Sequence, residues 1–541
     1  MSEARQKPLD PVTLTRIRHD LAAASGKRRL DLILDAENPM AVVRALPADE
    51  LYFTIGEIGL ADAADLVQLA SPAQFRVFLD LAAWTGDRVD PRKALPWLSA
   101  ARGGALRTDP DDRRWRAKLS GLDLELLNLV LRDALRIHDL EEDDDPHLES
   151  EHFMRTAENK FVIEFLVEGA EYAAVRGIVD DLTAEDPFKT TRLLSSLRWE
   201  LPSELEETEL RWRTARLADL GYPSLEEALS WFAKPVRASA PPAGVPARPP
   251  GFWLARAGAG TGSLLARAAA RLTIEEREHL ELELVTAANA VVVADAVDAG
   301  DPAEVRRAVE AARALVEMGL QEAAAGDDAR AAEVLATTAV KALFQRGFGK
   351  VLALKWSAER LLASGRAGTR EVPLLDAPLG EVLAALARRR PGYFPGVEAP
   401  RAEWGTLAAG AFEPRSFRGP EDVLRTAEAL RLAEALAALA ADLGLSVRAE
   451  GPLAPRLATL YLTALANERL GRAFRPDPIP AGEVEAAAKA LERLDDARLA
   501  ARGEAGALLA ELAAHTAEEL ALVRDAGAAR PQYLRALLVA N

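Results

Sequence analysis

The punctuation of helix starts constrains this chain more than any other feature. Asp10-Pro11, Asn38-Pro39, Ser71-Pro72, Asp90-Pro91, Asp109-Pro110, Asp186-Pro187 and Asp301-Pro302 each set a capping side chain before a proline. At the first helical position the missing proline N–H costs nothing, so each pair reads as a helix N-terminus. Thr273 with Glu276, and Ser224 with Glu227, add capping-box spacing at two more starts. Between starts, apolar residues return at helical period, as in Leu14, Ile17 and Leu21 or Phe75, Phe78, Leu79 and Ala82. The pattern predicts a mainly α chain. The starts between Asp10 and Asp109 are too closely spaced for long bundle helices, so small helix pairs packed on their neighbours are expected there. Val43 to Pro47 followed by Leu51 is echoed 24 to 25 residues later by Val67 to Pro72 followed by Phe75. Stacked helical repeats carry such a period, because one unit cannot bury its apolar face alone. The N-terminal region is therefore expected to be a short-helix, superhelical, solenoid-like array.

The grammar changes after residue 137. Glu141 to Glu151 holds seven acids and no base. Phe153 to Thr156 and Phe161 to Phe165 then flank a four-residue turn, which predicts a small β-hairpin element near 153–165. Pro235 to Phe252 contains six prolines, the composition of a linker or an extended strap. Beyond it the sequence is rich in alanine, which favours helix and permits close helix contacts. The expected organisation is a short-helix repeat domain at 1–137, and an acidic loop, hairpin and helices at 138–234. A Pro/Gly-rich strap at 235–262 and an Ala-rich helical domain at 263–541 follow.

Composition narrows the function classes. The absence of cysteine from 541 residues excludes disulfides, thiolate metal sites and cysteine nucleophiles. A formal net charge of −17 disfavours generic nucleic-acid binding, which needs a concentrated basic face. Lys27-Arg28-Arg29, Arg113-Arg114 with Arg116 and Lys118, and Arg388-Arg389-Arg390 are the densest basic clusters, and they read as solvated loop or helix-end charges. Met1 to Asp20 is polar with no apolar core of a secretory signal. The most continuous apolar stretch, Ala287 to Val297, is far short of the roughly 20 residues a spanning helix needs. A cytoplasmic location without direct membrane insertion is expected.

Candidate chemistry is sparse. Asp143, Asp144, Asp145, His147, Glu149, Glu151 and His152 gather hard carboxylates and two imidazoles that could capture a divalent cation. The two histidines are five apart rather than four, and Pro146 breaks any helix through them, so an exposed acidic loop explains the same residues. Gly258 to Ser263 is glycine-rich but has neither the preceding strand of a Rossmann unit nor the lysine of a P-loop, and reads as linker. His279 reads as part of a solvated helix face and His515 as packing. Trp199, Trp212 and Trp231 read as core anchors, with partner-facing hot spots as the alternative. No catalytic residue, cofactor site or metal ligand is assigned.

Trp212-Arg213, the run Arg216-Leu-Ala-Asp-Leu-Gly-Tyr-Pro-Ser-Leu-Glu-Glu-Ala-Leu229, Arg29 to Asp35, Asn38-Pro39, Arg44 to Leu51 and Asn159 to Phe165 resemble a bacterial domain-of-unknown-function family, number 6178. That resemblance extends over most of the chain, brings no catalytic residues, and implies a cytoplasmic, mainly helical bacterial protein. Within residues 30–100, Ala45-Leu-Pro-Ala-Asp-Glu-Leu51 and Ala70-Ser-Pro-Ala-Gln-Phe75 are similar to helical repeats in the cytosolic N-terminal domain of MgtE-type magnesium transporters and in flagellar motor switch proteins. There the likeness implies a superhelix used in regulation and assembly. The leading expectation is a non-enzymatic scaffold or regulatory protein that binds another protein. The alternatives are an enzyme using carboxylates or a divalent cation near 143–152, and a cation or ligand sensor.

Overall fold

The computed structural model describes residues 17, 20–21, 24, 26–104, 113–233, 262–368, 374–401, 404, 410–443, 456–492, 497–525, 534 and 536–540. Among them the chain is mainly α, with two small antiparallel sheets. It forms two compact units, residues 1–313 with 323–344, and residues 314–322 with 345–541.

In chain order the elements begin with α1 (Gly26–Leu34), α2 (Pro39–Ala45), α3 (Ala48–Ile58), α4 (Ala64–Leu69) and α5 (Pro72–Ala82). A short hairpin, β1 (Trp84–Thr85) and β2 (Arg88–Val89), leads to α6 (Pro91–Arg102), α7 (Arg113–Ser120) and α8 (Leu124–Leu131). Then come β3 (Leu135–Asp139), β4 (Phe153–Arg155), β5 (Phe161–Phe165), α9 (Gly169–Glu185), α10 (Pro187–Trp199), α11 (Pro202–Ala218) and α12 (Leu225–Ser230). Residues after 261 supply α13 (Leu264–Ala269), α14 (Ile274–Ala294), α15 (Pro302–Ala324), α16 (Asp328–Thr337) and α17 (Val340–Ala363). The remaining α-helices are α18 (Leu379–Leu386), α19 (Pro420–Asp442), α20 (Leu457–Arg469), α21 (Val484–Leu491), α22 (Ala497–Ala500), α23 (Glu504–Ala514) and α24 (Thr516–Asp525).

The predicted caps form. Asn38 accepts from Ala41 N–H, Asp90 from Arg92, Asp186 from Lys189 and Asp301 from Ala303. Ser71 with Gln74, Ser224 with Glu227, and Thr273 with Glu276 close full capping boxes. Asp10-Pro11 and Asp109-Pro110 lie outside the described residues, as does 235–262 apart from Gly262. Gln74 adds a tertiary role to its local one. Its Nε2 donates to the carbonyls of Val43 and Leu46, both at 2.8 Å, so the start of α5 is tied to the end of α2. An aromatic cluster fills the space between these short helices: Tyr52 stacks on Trp97 at 5.2 Å, and Phe78 lies 5.5 Å from Trp97.

The hairpin near 153–165 is present, β4 pairing antiparallel with β5. It is half of a three-stranded sheet of order β3-β5-β4, because Leu135–Asp139 pairs with the other edge of β5. The central strand is buried at all five positions, including Glu164.

The second unit is built differently. Ala and Leu dominate its buried faces, as in α19, where Ala429, Ala433, Ala437 and Ala440 are all buried. Gly347 on α17 lies against the backbone at Leu315, and Gly506 on α23 against that at Leu499, so close that a Cβ would run into the carbonyl.

Candidate functional site

Five charged side chains from three elements of the first unit interlock in its interior. Helix α5 supplies Arg76 and Asp80, one turn apart, and α11 supplies Glu209 and Arg216. Asp123 stands at the start of α8. Arg76 pairs with Glu209, and with Asp123 at 2.8 Å. Arg216 grips Asp80 through Nε at 2.7 Å and Nη2 at 2.9 Å, and reaches Glu209 at 2.7 Å and Asp123 at 3.3 Å. Asp80 and Glu209 are almost wholly removed from solvent, at 1% and 0% exposure. Taking a carboxylate out of water costs several kcal/mol, and only paired, hydrogen-bonded geometry offsets it.

The offset is incomplete at Glu209. Burial pushes its carboxyl up to about 7, against the pull of Arg76 and Arg216. Its Oε2 has no hydrogen-bond partner among the described residues, which is where a proton would sit. Arg216 moves further upward, because its bonds to Asp80 and Glu209 outweigh the cost of burial. Each carboxylate here faces a guanidinium, and the arrangement fixes α5, α8 and α11 to one another rather than exposing an acid and a base to a substrate.

A cavity of about 670 Å³ adjoins this network. Leu81 at the end of α5, Leu210, Arg213 and Leu217 of α11, Trp84 of the short hairpin and Val293 of α14 are among the residues lining it. Arg213 donates its Nε to the Asp80 carbonyl at 2.7 Å, and its guanidinium lies 4.8 Å from the centroid of the Trp84 ring. On another wall Lys93 pairs with Asp298 at 2.7 Å.

The model of a family of unknown function, DUF6178, matches residues 6–533. The chain belongs to DUF6178. No curated protein and no solved structure matches it. Membership brings no assigned activity, so the site of this DUF6178 protein is read from its own geometry. No described helix is long and apolar enough to cross a membrane.

The acidic loop does not converge. Asp143, Asp144, Asp145, His147, Glu149 and Glu151 are exposed along the β3–β4 connection. Asp143 Oδ1 accepts the Asp145 N–H at 3.2 Å, a local turn, and Glu149 turns to Arg136 at 2.9 Å. His152 stacks on Tyr172, ring centroids 4.1 Å apart. Among the described residues no three His, Asp or Glu side chains are grouped as they would be to hold a metal ion. Of the glycine-rich run, Gly262 and Ser263 are described, and Ser263 caps the six-residue α13 through the Ala266 N–H. His279 lies 3.9 Å from Glu283, and the His515 ring approaches the Glu511 carbonyl.

What the loop does build is a cradle for Glu164. Its Oε1 accepts the backbone N–H groups of Glu149 at 2.5 Å and Ser150 at 2.6 Å, and Oε2 pairs with His138 Nε2 at 2.9 Å. Burial raises the carboxyl, but the bonds from His138 and the two amides, with Arg136 beyond, prevail and hold it below its ordinary range. A glutamate inside the apolar run Phe161 to Phe165 was the available signal for this cradle. The DUF6178-like segment Trp212 to Arg216 was the signal for the helix network.

Three expectations are corrected. Trp231 is buried and Trp212 is half-buried, but Trp199 is 59% exposed and anchors no core. Arg29 is buried, donating to the Leu21 carbonyl and pairing with Glu57 at 2.9 Å. Lys118 is buried as well, its ammonium donating to the Gln68 carbonyl at 2.8 Å. These cations serve as internal struts, because buried carbonyls and a carboxylate lie within their reach.

Proposed function

We propose that this DUF6178 protein is a non-catalytic scaffold or regulatory protein of the cytoplasm that acts by binding another protein. The observation that carries the reading is one face of α10. Phe188 is 86% exposed and Trp199 is 59% exposed, and Leu201 just beyond the helix is 61% exposed. Phe188 and Trp199 are eleven residues apart, about three turns, so they return to the same side of the helix. Arg192 is exposed between them, and Arg198 lies over the Trp199 ring at 5.2 Å. Trp, Tyr and Arg dominate the energetics of protein interfaces, and a solvated Phe or Trp is a cost that association removes.

The resemblance of residues 30–100 to regulatory and assembly repeats supports the same reading, and a superhelical stacking of the short helices belongs to it. The cation enzyme or sensor reading draws less support, because its seven residues are spread along an exposed loop. The test is cross-linked affinity capture from native lysate, with and without magnesium, of wild type and of Phe188→Ala/Trp199→Ala. A stoichiometric partner lost in the double variant, with unchanged helical content, is the expected result. A partner retained by the variant sinks the α10 reading, and loss of the partner on magnesium removal alone favours a sensor.

A further inference from the structure

Arg213 stands apart from Arg76 and Arg216, the arginines of the network beside it. Asp80 occupies only its Nε, through a backbone carbonyl, and its two terminal nitrogens form no hydrogen bond among the described residues. Burial disfavours its charge, with Asp80 only partly opposing that. The guanidinium lies over the Trp84 ring on the wall of the cavity, and the Trp84 indole N–H, itself buried, has no partner among the described residues. The Arg213 guanidinium, with unmet donor capacity, therefore lies on the wall of a partly open cleft whose size suits a small organic molecule.

The remaining charges of the cavity are accounted for. Lys93 is neutralised by Asp298, and Asp298 also accepts the Gly300 N–H at 2.8 Å. Glu304 accepts the Asp298 backbone N–H at 3.2 Å. Asp87 is exposed at the hairpin turn. Among these cations Arg213 alone forms no ion pair, feeling the Asp80 and Glu209 carboxylates only at longer range, and the leucines of α5 and α11 and the valines of α14 are among the surfaces around it.

We propose that this cavity binds an amphipathic organic monocarboxylate. The carboxylate meets the fork of Arg213, and the apolar body lies against Leu81, Leu210, Leu217 and Val293. Planar, two-pronged recognition of a carboxylate is what a guanidinium does and an ammonium does not. A single negative charge matches the single free cation. The second charge of a phosphate monoester would be unmatched, with Asp298, Glu304 and Asp87 nearby to repel it. The proposal is independent of the α10 face, which shares none of these residues.

The test is isothermal titration of the full chain with decanoate, decylammonium, decanol and decyl phosphate. Decanoate is expected to bind saturably and the other three at least tenfold more weakly. Arg213→Gln is expected to weaken decanoate at least tenfold. Thr214→Trp is expected to do the same by filling the mouth. Thr214 is exposed and its hydroxyl serves only the Leu210 carbonyl of its own helix, so this variant keeps the test decisive if Arg213→Gln fails to fold. Undiminished decanoate binding in the folded variants, equal binding of decanol, tighter binding of decyl phosphate, or no saturable binding of decanoate would each overturn the assignment.

Discussion

Two glutamates of the first unit, Glu164 and Glu209, are equally inaccessible, both at 0% exposure, yet their protons are held in opposite senses. Glu164 sits on the central strand of a small sheet, where two backbone amides and an imidazole converge on its two oxygens. Glu209 sits on a helix, where every backbone N–H of the interior is already committed to its own helix, so only side chains can reach it. Arg76 and Arg216 do so through one oxygen, and the other oxygen is orphaned. Burial is the leading influence on both carboxyls: at Glu164 the bonds from His138 and the two amides outweigh it, whereas at Glu209 the pull of Arg76 and Arg216 does not. The two sites are separated by how heavily burial weighs on each carboxyl and by how completely its oxygens are bonded, both at Glu164 and only one at Glu209.

The largest expected effect is at Glu209. Replacing it with Ala leaves Arg76 buried and without one of its partners, and breaking such a pair costs about 3–5 kcal/mol. Glu209→Leu together with Arg76→Met replaces the pair by apolar volume and is expected to recover most of that loss, read by urea unfolding. A double variant no more stable than the single one would show that the network is needed for more than charge balance.

Glu164→Ala comes next, at about 2–3 kcal/mol, since the amides of Glu149 and Ser150 would lose their acceptor inside the fold. Here the damage is local to the cradle. Amide hydrogen exchange at residues 149 and 150 is expected to accelerate, while the α5–α11 contact keeps its protection. Exchange that rises equally in both regions would mean that the sheet and the helix network open as one cooperative body.

The pH dependences should have opposite signs. Glu209 has a folded value raised from 4.5 to about 7, so the folded state binds more protons in that window. Its contribution is fully present below about 4.5 and is lost as pH rises through about 7. Glu164 is lowered, so its contribution is present above its ordinary 4.5 and is lost as pH falls below that. Each slope is bounded by about 1.4 kcal/mol per pH unit, the value of one proton. Stability measured against pH for Glu209→Gln and Glu164→Gln, each subtracted from wild type, should therefore give two curves sloping in opposite directions. Parallel curves would erase the distinction.

Much of the fold was legible because helix starts are local chemistry. Asn38, Ser71, Asp90, Asp186 and Asp301 act within four residues of themselves, and all cap as their spacing predicts. The β4–β5 hairpin was legible for the same reason. Strand β3 was not anticipated: Leu135-Arg-Ile-His-Asp alternates, but it follows a helix after a three-residue break and pairs with a segment beyond a long loop. The charge network was illegible because its partners are remote, Arg76 from Glu209 by 133 residues and Asp123 from Arg216 by 93. Sequence drew attention to the dense acids of 143–152, whereas among the buried carboxylates Glu164 stands alone in an apolar run and Glu209 is one of four glutamates between 204 and 209 with nothing in its spacing to mark it as the buried one. Burial of a lone charge requires partners from elsewhere, and no pattern within one element announces them.

The smallest effect tests the comparison most finely. Arg136 lies 3.7 Å from Glu164 and is 41% exposed, and it also pairs with the exposed Glu149. If backbone amides hold the Glu164 charge, removing this guanidinium should matter little: Arg136→Gln is expected to cost no more than about 0.5 kcal/mol, as for other solvent-screened pairs. Arg216→Gln, which strips Asp80 and Glu209 of their shared partner, should cost several times more and should also raise the Glu209 titration further. A loss at Arg136 approaching that at Arg216 would mean that a cation, and not the strand geometry, governs both buried carboxylates.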